Sequence, residues 1–302
     1  MQKIVIIVGP TASGKSSLAM EAALRFNGEI VGADSVQVYR QMNIGTAKPT
    51  PLERKRVPHH LIDILDPDEE YTVARFVADA DLAIADICSR SRNAFVTGGT
   101  GLYIRSLVEG IFDGPEADTA LREELLEVAR QGGVNKVHDM LKHVDPESAE
   151  KIHPNNLRRV IRALEVEALT KRPISEFHSE HALKEKRYNA LKIGLDIERS
   201  VLYKRIEGRV DKMVEAGLVA EVEGLLRDGY REDLKPMGAL GYKEMVGYLN
   251  GEYPLDEAVR LLKRNTRRYA KKQLTWFKKD RAIEWYSRDD ARIMKRVEEH
   301  LC

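Results

Sequence analysis

Short apolar runs and longer stretches of three-to-four periodicity alternate over the first third of the chain. Residues 4–8 (IVIIV) form an unbroken apolar run of strand length, and residues 17–24 (SLAMEAAL) carry the alanine and leucine content of a helix. Residues 29–34 predict a second short strand ending in Asp34, and residues 61–65 (LIDIL) a third. Over 72–90, Phe76, Val77, Ala80, Leu82, Ala83 and Ile87 recur at mixed helical spacing, which predicts a helix laid against the sheet, and 93–97 reads as another strand. Beyond Gly114-Pro115 the composition turns helical and highly charged, with pieces at 120–130, 134–142 and 156–170 and no convincing strand before Leu191. Residues 191–196 alternate as a strand, 197–228 read as helix broken at Gly217, and Pro236 to Lys243 make a glycine-bearing turn into a further helix. Residues 282–286 predict a last strand. Strands alternating with helices imply an α/β fold with a mainly parallel sheet flanked by helices, and the charged helical stretch reads as an insertion. The expected division is a core in 1–114 and 189–302, with an all-helical insertion domain at 115–188.

The loop between the first strand and helix, Gly9-Pro10-Thr11-Ala12-Ser13-Gly14-Lys15-Ser16, matches G-x-x-x-x-G-K-[ST], the P-loop, in the strand–loop–helix setting the motif requires. The core is therefore expected to be P-loop NTPase-like. Glycines let the backbone curl so that N–H groups and the helix N-terminus form a concave anion site. Lys15 adds a mobile charge, and the Ser16 hydroxyl is placed to ligate a Mg²⁺ bridging phosphate oxygens. The motif leaves open which phosphate compound is held and whether phosphorus is the atom attacked. Asp34, at the end of the second strand, should come near the same ligand and serve as a metal ligand or general base, or else cap a following turn. A second glycine loop, Gly98 to Tyr103, brings the Thr100 hydroxyl to the same sheet edge. His59 and His60 are adjacent, so on a strand they face opposite ways and read as structural.

Charge patterning adds a further partner. The 302 residues carry a formal net charge of +1, yet residues 263–279 hold Lys263, Arg264, Arg267, Arg268, Lys271, Lys272, Lys278 and Lys279 and no acid. On a helix, Arg264, Arg268, Lys271, Lys272 and Lys279 share a stripe, which implies an anionic partner larger than one nucleotide. Arg158, Arg159 and Arg162 form a second basic face at i, i+1 and i+4. Cys88 and Cys302 are the only cysteines, too few for a disulfide scaffold or a cysteine zinc site. No stretch has the length of a signal h-region with its cleavage site or of a membrane span. A cytoplasmic protein with no membrane association is expected.

Taken together, these stretches resemble the tRNA dimethylallyltransferase (tRNA isopentenyltransferase) family in its short bacterial form. Besides the phosphate loop, the matching pieces are Asp34-Ser35-x-Gln37-x-Tyr39, Gly45 to Pro49, Gly98 to Tyr103, Asp145-Pro146, Ile152 to Asn155, Arg162 to Val166, Gly241-Tyr242, and Arg268 to Trp276. The resemblance implies transfer of a dimethylallyl group from dimethylallyl diphosphate to the exocyclic 6-amino group of the adenosine just 3′ of the anticodon (position 37). It implies that Gly9 to Ser16 hold the diphosphate (or a nucleotide such as ATP), with Mg²⁺ at Ser16, and that Asp34 is the base with Thr100 beside the reacting groups. It further implies tRNA anticodon stem-loop contacts at Asp34, Ser35, Val36, Gln37, Thr100, Arg122, Arg158, Arg159, Val160, Ile161, Arg162, Gly238, Ala239, Leu240, Gly241, Tyr242 and Lys243, in a monomer. Three alternatives remain at this stage: a P-loop small-molecule kinase using Asp34 toward a hydroxyl, a nucleic-acid-binding NTPase, and an isopentenyltransferase acting on free adenine nucleotides.

Overall fold

The computed structural model describes residues 1–112, 114–182 and 187–302. In chain order the elements are β1 (Lys3–Val8), α1 (Lys15–Arg25), β2 (Gly28–Gly32), α2 (Pro51–Arg56), β3 (His59–His60), α3 (Val73–Ser89), β4 (Asn93–Gly98), α4 (Gly101–Glu109), α5 (Thr119–Val144), α6 (Pro146–Lys151), α7 (Leu157–Thr170), α8 (Ile174–Ala182), β5 (Asn189–Leu195), α9 (Arg199–Glu215), α10 (Leu218–Arg227), α11 (Tyr242–Leu249), α12 (Leu255–Phe277), β6 (Ile283–Tyr286) and α13 (Arg292–Leu301). The six strands form one sheet in the order β3-β2-β4-β1-β5-β6, and every pairing is parallel. Two compact units result: Met1–Val108 with Arg187–Cys302, and Glu109–Lys186.

The unbroken apolar run of β1 follows from its central place in the first unit. Ile4, Ile6 and Val8 enter the core shared with α3, α4 and α10 to α12, while Val5 and Ile7 enter the core made with α1 and α13. Both faces are dry, so alternation disappears from the sequence. Each of these fully buried side chains contributes roughly 1.5–3 kcal/mol relative to an exposed one.

The third strand differs from expectation. Residues 61–65 are not a strand: Leu61 and Asp63 take left-handed backbone (φ 61° and 56°), and the pairing with β2 falls on His59–His60. The conformation is held because Asp63 accepts from buried Lys48 and from Arg54. The two histidines have local partners, His60 Nε2 on Glu29 at 2.7 Å and His59 Nδ1 on the Val57 carbonyl at 2.8 Å. Gly217 (φ 97°) separates α9 from α10 as the sequence suggested, and Gly133 (φ 80°) kinks α5 between its two pieces.

In the second unit, α5 to α8 pack on a core of their own that includes Leu125, Val137, Leu141, Val160, Ile161 and Leu164. Val160 and Ile161 are buried there. Their side chains lie on the core side of α7, and the outward side chains of this stretch are those of Arg158 and Arg159.

Candidate active site

Three parallel strands end at one level, because Val8 pairs with Gly98 and Gly32 with Thr97. The loops that leave β1, β2 and β4 therefore share one edge, where ligands of open α/β sheets bind. Gly14 sits at φ 95° at the N-cap of α1, a left-handed position that turns the loop into the helix and would strain any side chain. Ser13 Oγ is a buried side-chain oxygen with no hydrogen-bond partner among the described residues, and Ser16 is exposed. Lys15 is partly buried and donates only a long 3.4 Å bond to the Pro10 carbonyl. The loop thus holds unspent donors, as a phosphate cradle does.

Asp34 stands beyond the end of β2 with its two oxygens in different roles. Oδ1 accepts the N–H groups of Val36 (2.9 Å) and Gln37 (3.2 Å), the turn cap foreseen as its plainer role. Oδ2 has no hydrogen bond among the described residues, so the carboxylate is oriented by one oxygen and open at the other. Thr100 supports the same turn: its Oγ1 accepts from Ser35 N at 3.2 Å and lies 3.5 Å from Ser35 Oγ, leaving its proton weakly engaged. Gln37 donates through Nε2 to the Thr46 carbonyl at 3.0 Å, which ties the turn to the 45–49 loop.

Electrostatics join these pieces to a residue that the motifs did not single out. Burial and, to a lesser degree, the nearby Arg209 cation together pull Lys15 down to about 8, against the opposing charge of Asp34. Burial likewise lowers Arg209 on α9, again opposed by Asp34. Tyr269 on α12 is pushed up to about 12 by burial and by the charge of Asp34. Lys15, Arg209 and Asp34 thus feel one another's charge yet form no ion pair with one another among the described residues, a combination that favours an anion arriving from outside. Arg209 was illegible in sequence because it lies in an ordinary charged helix; its spacing from Arg205 and Lys212 (i, i+4, i+7) was the one available signal. These three line a groove of about 1080 Å³ between α9 and the 40–54 loop.

Glu221 on α10 is a second residue missed in sequence. Its carboxylate accepts from Asn43, Ile44 and Gly45 N–H (2.9, 2.8 and 3.1 Å) and from the Tyr242 hydroxyl (2.7 Å). Tyr242 is fully buried, which corrects the idea that its side chain meets tRNA: its ring packs on Gly45 and supports the loop. In the same segment Gly238 and Lys243 are exposed, Ala239 and Leu240 half-buried, and Gly241 buried.

In the helical unit, Arg122 and Arg162 are brought together on fully buried Glu165. Arg122 donates through Nε (2.7 Å) and Nη2 (2.9 Å), and Arg162 through Nη1, while Asp118 N–H adds a bond at 2.8 Å. Arg158 and Arg159 are exposed and make no ion pair among the described residues. The single basic face expected there is thus divided between a structural clamp and two outward cations.

The basic stripe of 263–279 divides in the same way. Lys263 pairs with Asp211 and Arg267 with Glu207 across to α9, whereas Arg268, Lys271 and Lys272 are exposed with no ion pair among the described residues. Helix α12 ends at Phe277, so Lys279 lies beyond the helix and off the expected stripe.

Fold and site define an α/β protein in which a P-loop and an oriented carboxylate share one edge of a parallel sheet. A family model described as IPP transferase matches residues 37–280, and one described as isopentenyl transferase matches residues 2–63. The chain is 58% identical to tRNA dimethylallyltransferase 2 of Geotalea uraniireducens and 53% identical to tRNA dimethylallyltransferase of Geobacter sulfurreducens, in each case covering 94% of this chain and 91% of the relative. The full-length tRNA isopentenylpyrophosphate transferase of Bacillus halodurans is similar in structure, with a TM-score of 0.74 at 45% identity over 100% of this chain and 97% of that one. A eukaryotic dimethylallyltransferase acting on tRNA superposes with a TM-score of 0.81 at 29% identity, covering 98% of this chain and 78% of that one. The chain belongs to the IPP transferase family.

Proposed function

We propose that the protein transfers a dimethylallyl group from dimethylallyl diphosphate to the 6-amino group of adenosine 37 in tRNA, releasing diphosphate. The observation that carries the reading is the half-committed Asp34 carboxylate, open at Oδ2 and within reach of the charges of Lys15 and Arg209, neither of which makes an ion pair among the described residues. An aromatic amine is a poor nucleophile because its lone pair is delocalised into the ring. It has to be held in line with the allylic carbon while a proton is removed, and Asp34 Oδ2 takes that proton. As the carbon–oxygen bond breaks, charge grows on the diphosphate and is met by Lys15, Arg209 and the loop N–H groups. Thr100 holds the Ser35 turn and offers its hydroxyl proton to the same anion.

A Mg²⁺ fits the donor set. Among the described residues no group of three His, Cys, Asp or Glu side chains could hold a metal alone. A hard cation held chiefly by substrate phosphates needs only the Ser16 hydroxyl from the protein, and it would neutralise charge on the leaving group. The adenine reaches the carboxylate only when extruded from its loop, at a cost of about a few kcal/mol offset by contacts along the RNA. Ser35 to Gln37, Gly238 to Leu240, Lys243, Arg158 and Arg159 are the proposed contacts, to which Arg122 and Arg162 add the parts of their side chains left exposed beside Glu165. No helix is long and apolar enough among the described residues to cross a membrane; a cytoplasmic monomer is the working state. Incubating the protein with labelled dimethylallyl diphosphate and, separately, unmodified tRNA, AMP and ATP tests the reading: label should enter tRNA alone, without added nucleoside triphosphate. Label in AMP, or an obligatory requirement for ATP hydrolysis, would overturn it.

A further inference from the structure

Gln273 belongs to α12, the helix whose outer side carries Arg268, Lys271 and Lys272, yet its own side chain is buried at the sheet edge. Its amide is divided between two loops that are far apart in sequence. Oε1 accepts the Thr11 N–H of the phosphate loop at 2.9 Å, and Nε2 donates to the Gly99 carbonyl of the second glycine loop at 3.0 Å. The contact with Gly99 is close: a Cβ there would stand 2.2 Å from Nε2, so a side chain at this position would displace the amide from where it sits. A buried amide serves this place because it offers one donor and one acceptor at fixed separation. An aliphatic side chain offers neither, and an ionised carboxylate would set a negative oxygen against the Gly99 carbonyl.

We infer that Gln273 is a positioning residue of the transfer reaction, setting the separation between the loop that holds the leaving group and the Thr100 loop that supports the Asp34 turn. The inference rests on the function proposed above. An in-line displacement needs its reacting atoms about 3–3.5 Å apart and aligned, and a misplacement of about 1 Å can cost on the order of 10²-fold in rate. Gln273 touches neither reacting group, so the effect of replacing it is expected in turnover and not in the affinity of either substrate.

The test is single-turnover transfer from labelled dimethylallyl diphosphate to unmodified tRNA by the full chain, with wild type, Gln273→Leu and Gln273→Glu, alongside direct binding of each substrate and thermal melting. Both variants should transfer about 10- to 100-fold more slowly at pH 8.5 while each dissociation constant moves by less than about threefold. Gln273→Glu carries a signature that a merely structural role would lack. Its buried carboxyl titrates high and, once protonated, can donate to Gly99 again, so its rate relative to wild type should rise as the pH falls from about 8.5 to 6. If Gln273→Leu fails to fold, this pH-dependent ratio decides by itself. Normal rates in both variants, deficits that follow substrate affinity, or a pH-independent deficit in Gln273→Glu would overturn the inference. Failure of the wild type to label tRNA would instead remove the proposed function.

Discussion

Glu29 and Asp34 stand near opposite ends of β2, and the difference between them separates a saturated carboxylate from one left half open. Glu29 is buried, and its oxygens are consumed by Arg90, Arg92 and His60. The Arg90 hydrogen bond, with those of His60 and Arg92, outweighs burial and holds its carboxyl at about 2. Asp34 spends one oxygen on its own turn and keeps the other open, with Lys15 and Arg209 near enough to feel its charge but not to pair with it. Saturation makes a carboxylate rigid and inert; a single anchored oxygen makes it oriented and available. The comparison also locates function on the fold, since the C-terminal ends of the strands face the crevice and the N-terminal ends do not.

The largest effect should come from removing the open carboxylate. Asp34→Asn, which keeps an acceptor for the Val36 and Gln37 N–H groups but cannot take up a proton, is expected to lower single-turnover transfer by about 10²- to 10⁴-fold with tRNA affinity and melting temperature nearly unchanged, and a variant with normal turnover would erase the contrast with Glu29. The converse change, Glu29→Ala, should leave turnover per folded molecule intact but lower the urea midpoint, because Arg90, Arg92 and His60 lose the buried carboxylate they share. The sign of its pH dependence follows from the depressed value: the stabilisation is complete above the unfolded carboxyl range near 4.5 and is lost as pH falls from there toward about 2. Wild type should therefore lose stability over that window more steeply than Glu29→Gln, as read from urea midpoints at a series of acid pH values.

Lys15 sharpens the comparison from the side of the anion. Lys15→Ala should weaken dimethylallyl diphosphate binding by roughly 1.5–3 kcal/mol in calorimetry. Since burial holds the free lysine at about 8 and only its charged form attracts phosphate, wild-type affinity should be flat below that pH and fall progressively above it. Lys15→Arg should abolish this dependence, and an unchanged pH profile would mean that the phosphate charge is met elsewhere.

The smallest effects concern the outward cations. Replacing Arg158 and Arg159 together by alanine, or Arg268 and Lys272 together, should flatten the slope of log tRNA affinity against log salt. The expected change is about 0.7–0.9 for each RNA phosphate that the variant no longer neutralises, with diphosphate affinity left alone. A pair whose slope does not move is only a solvated surface.

Where the sequence was legible, one residue type or one local period carried the information. The apolar run of β1, the glycines and lysine of the phosphate loop, the break at Gly217 and the helical character of the inserted stretch all depend on local constraints. The 61–65 segment misled because LIDIL has strand composition, whereas its backbone is bent by ion pairs from Lys48 and Arg54, one of them fifteen positions away. The arginines at 122 and 162 looked equivalent to those at 158 and 159 until buried Glu165 claimed the first two.

By itself the sequence determined that a P-loop motif follows β1, that Asp34 lies just past the next strand, and that a cation-rich helix lies in the last quarter of the chain. These are statements about one residue's neighbours along the backbone. Only the tertiary structure decided which charges are spent: Glu29 and Glu165 saturated, Asp34 half-open, Lys15 and Arg209 left facing one another, and Gln273 joining loops 174 positions or more away from it. Burial and hydrogen-bond saturation depend on every element packed around a group, and the sequence positions of those partners carry no local signal.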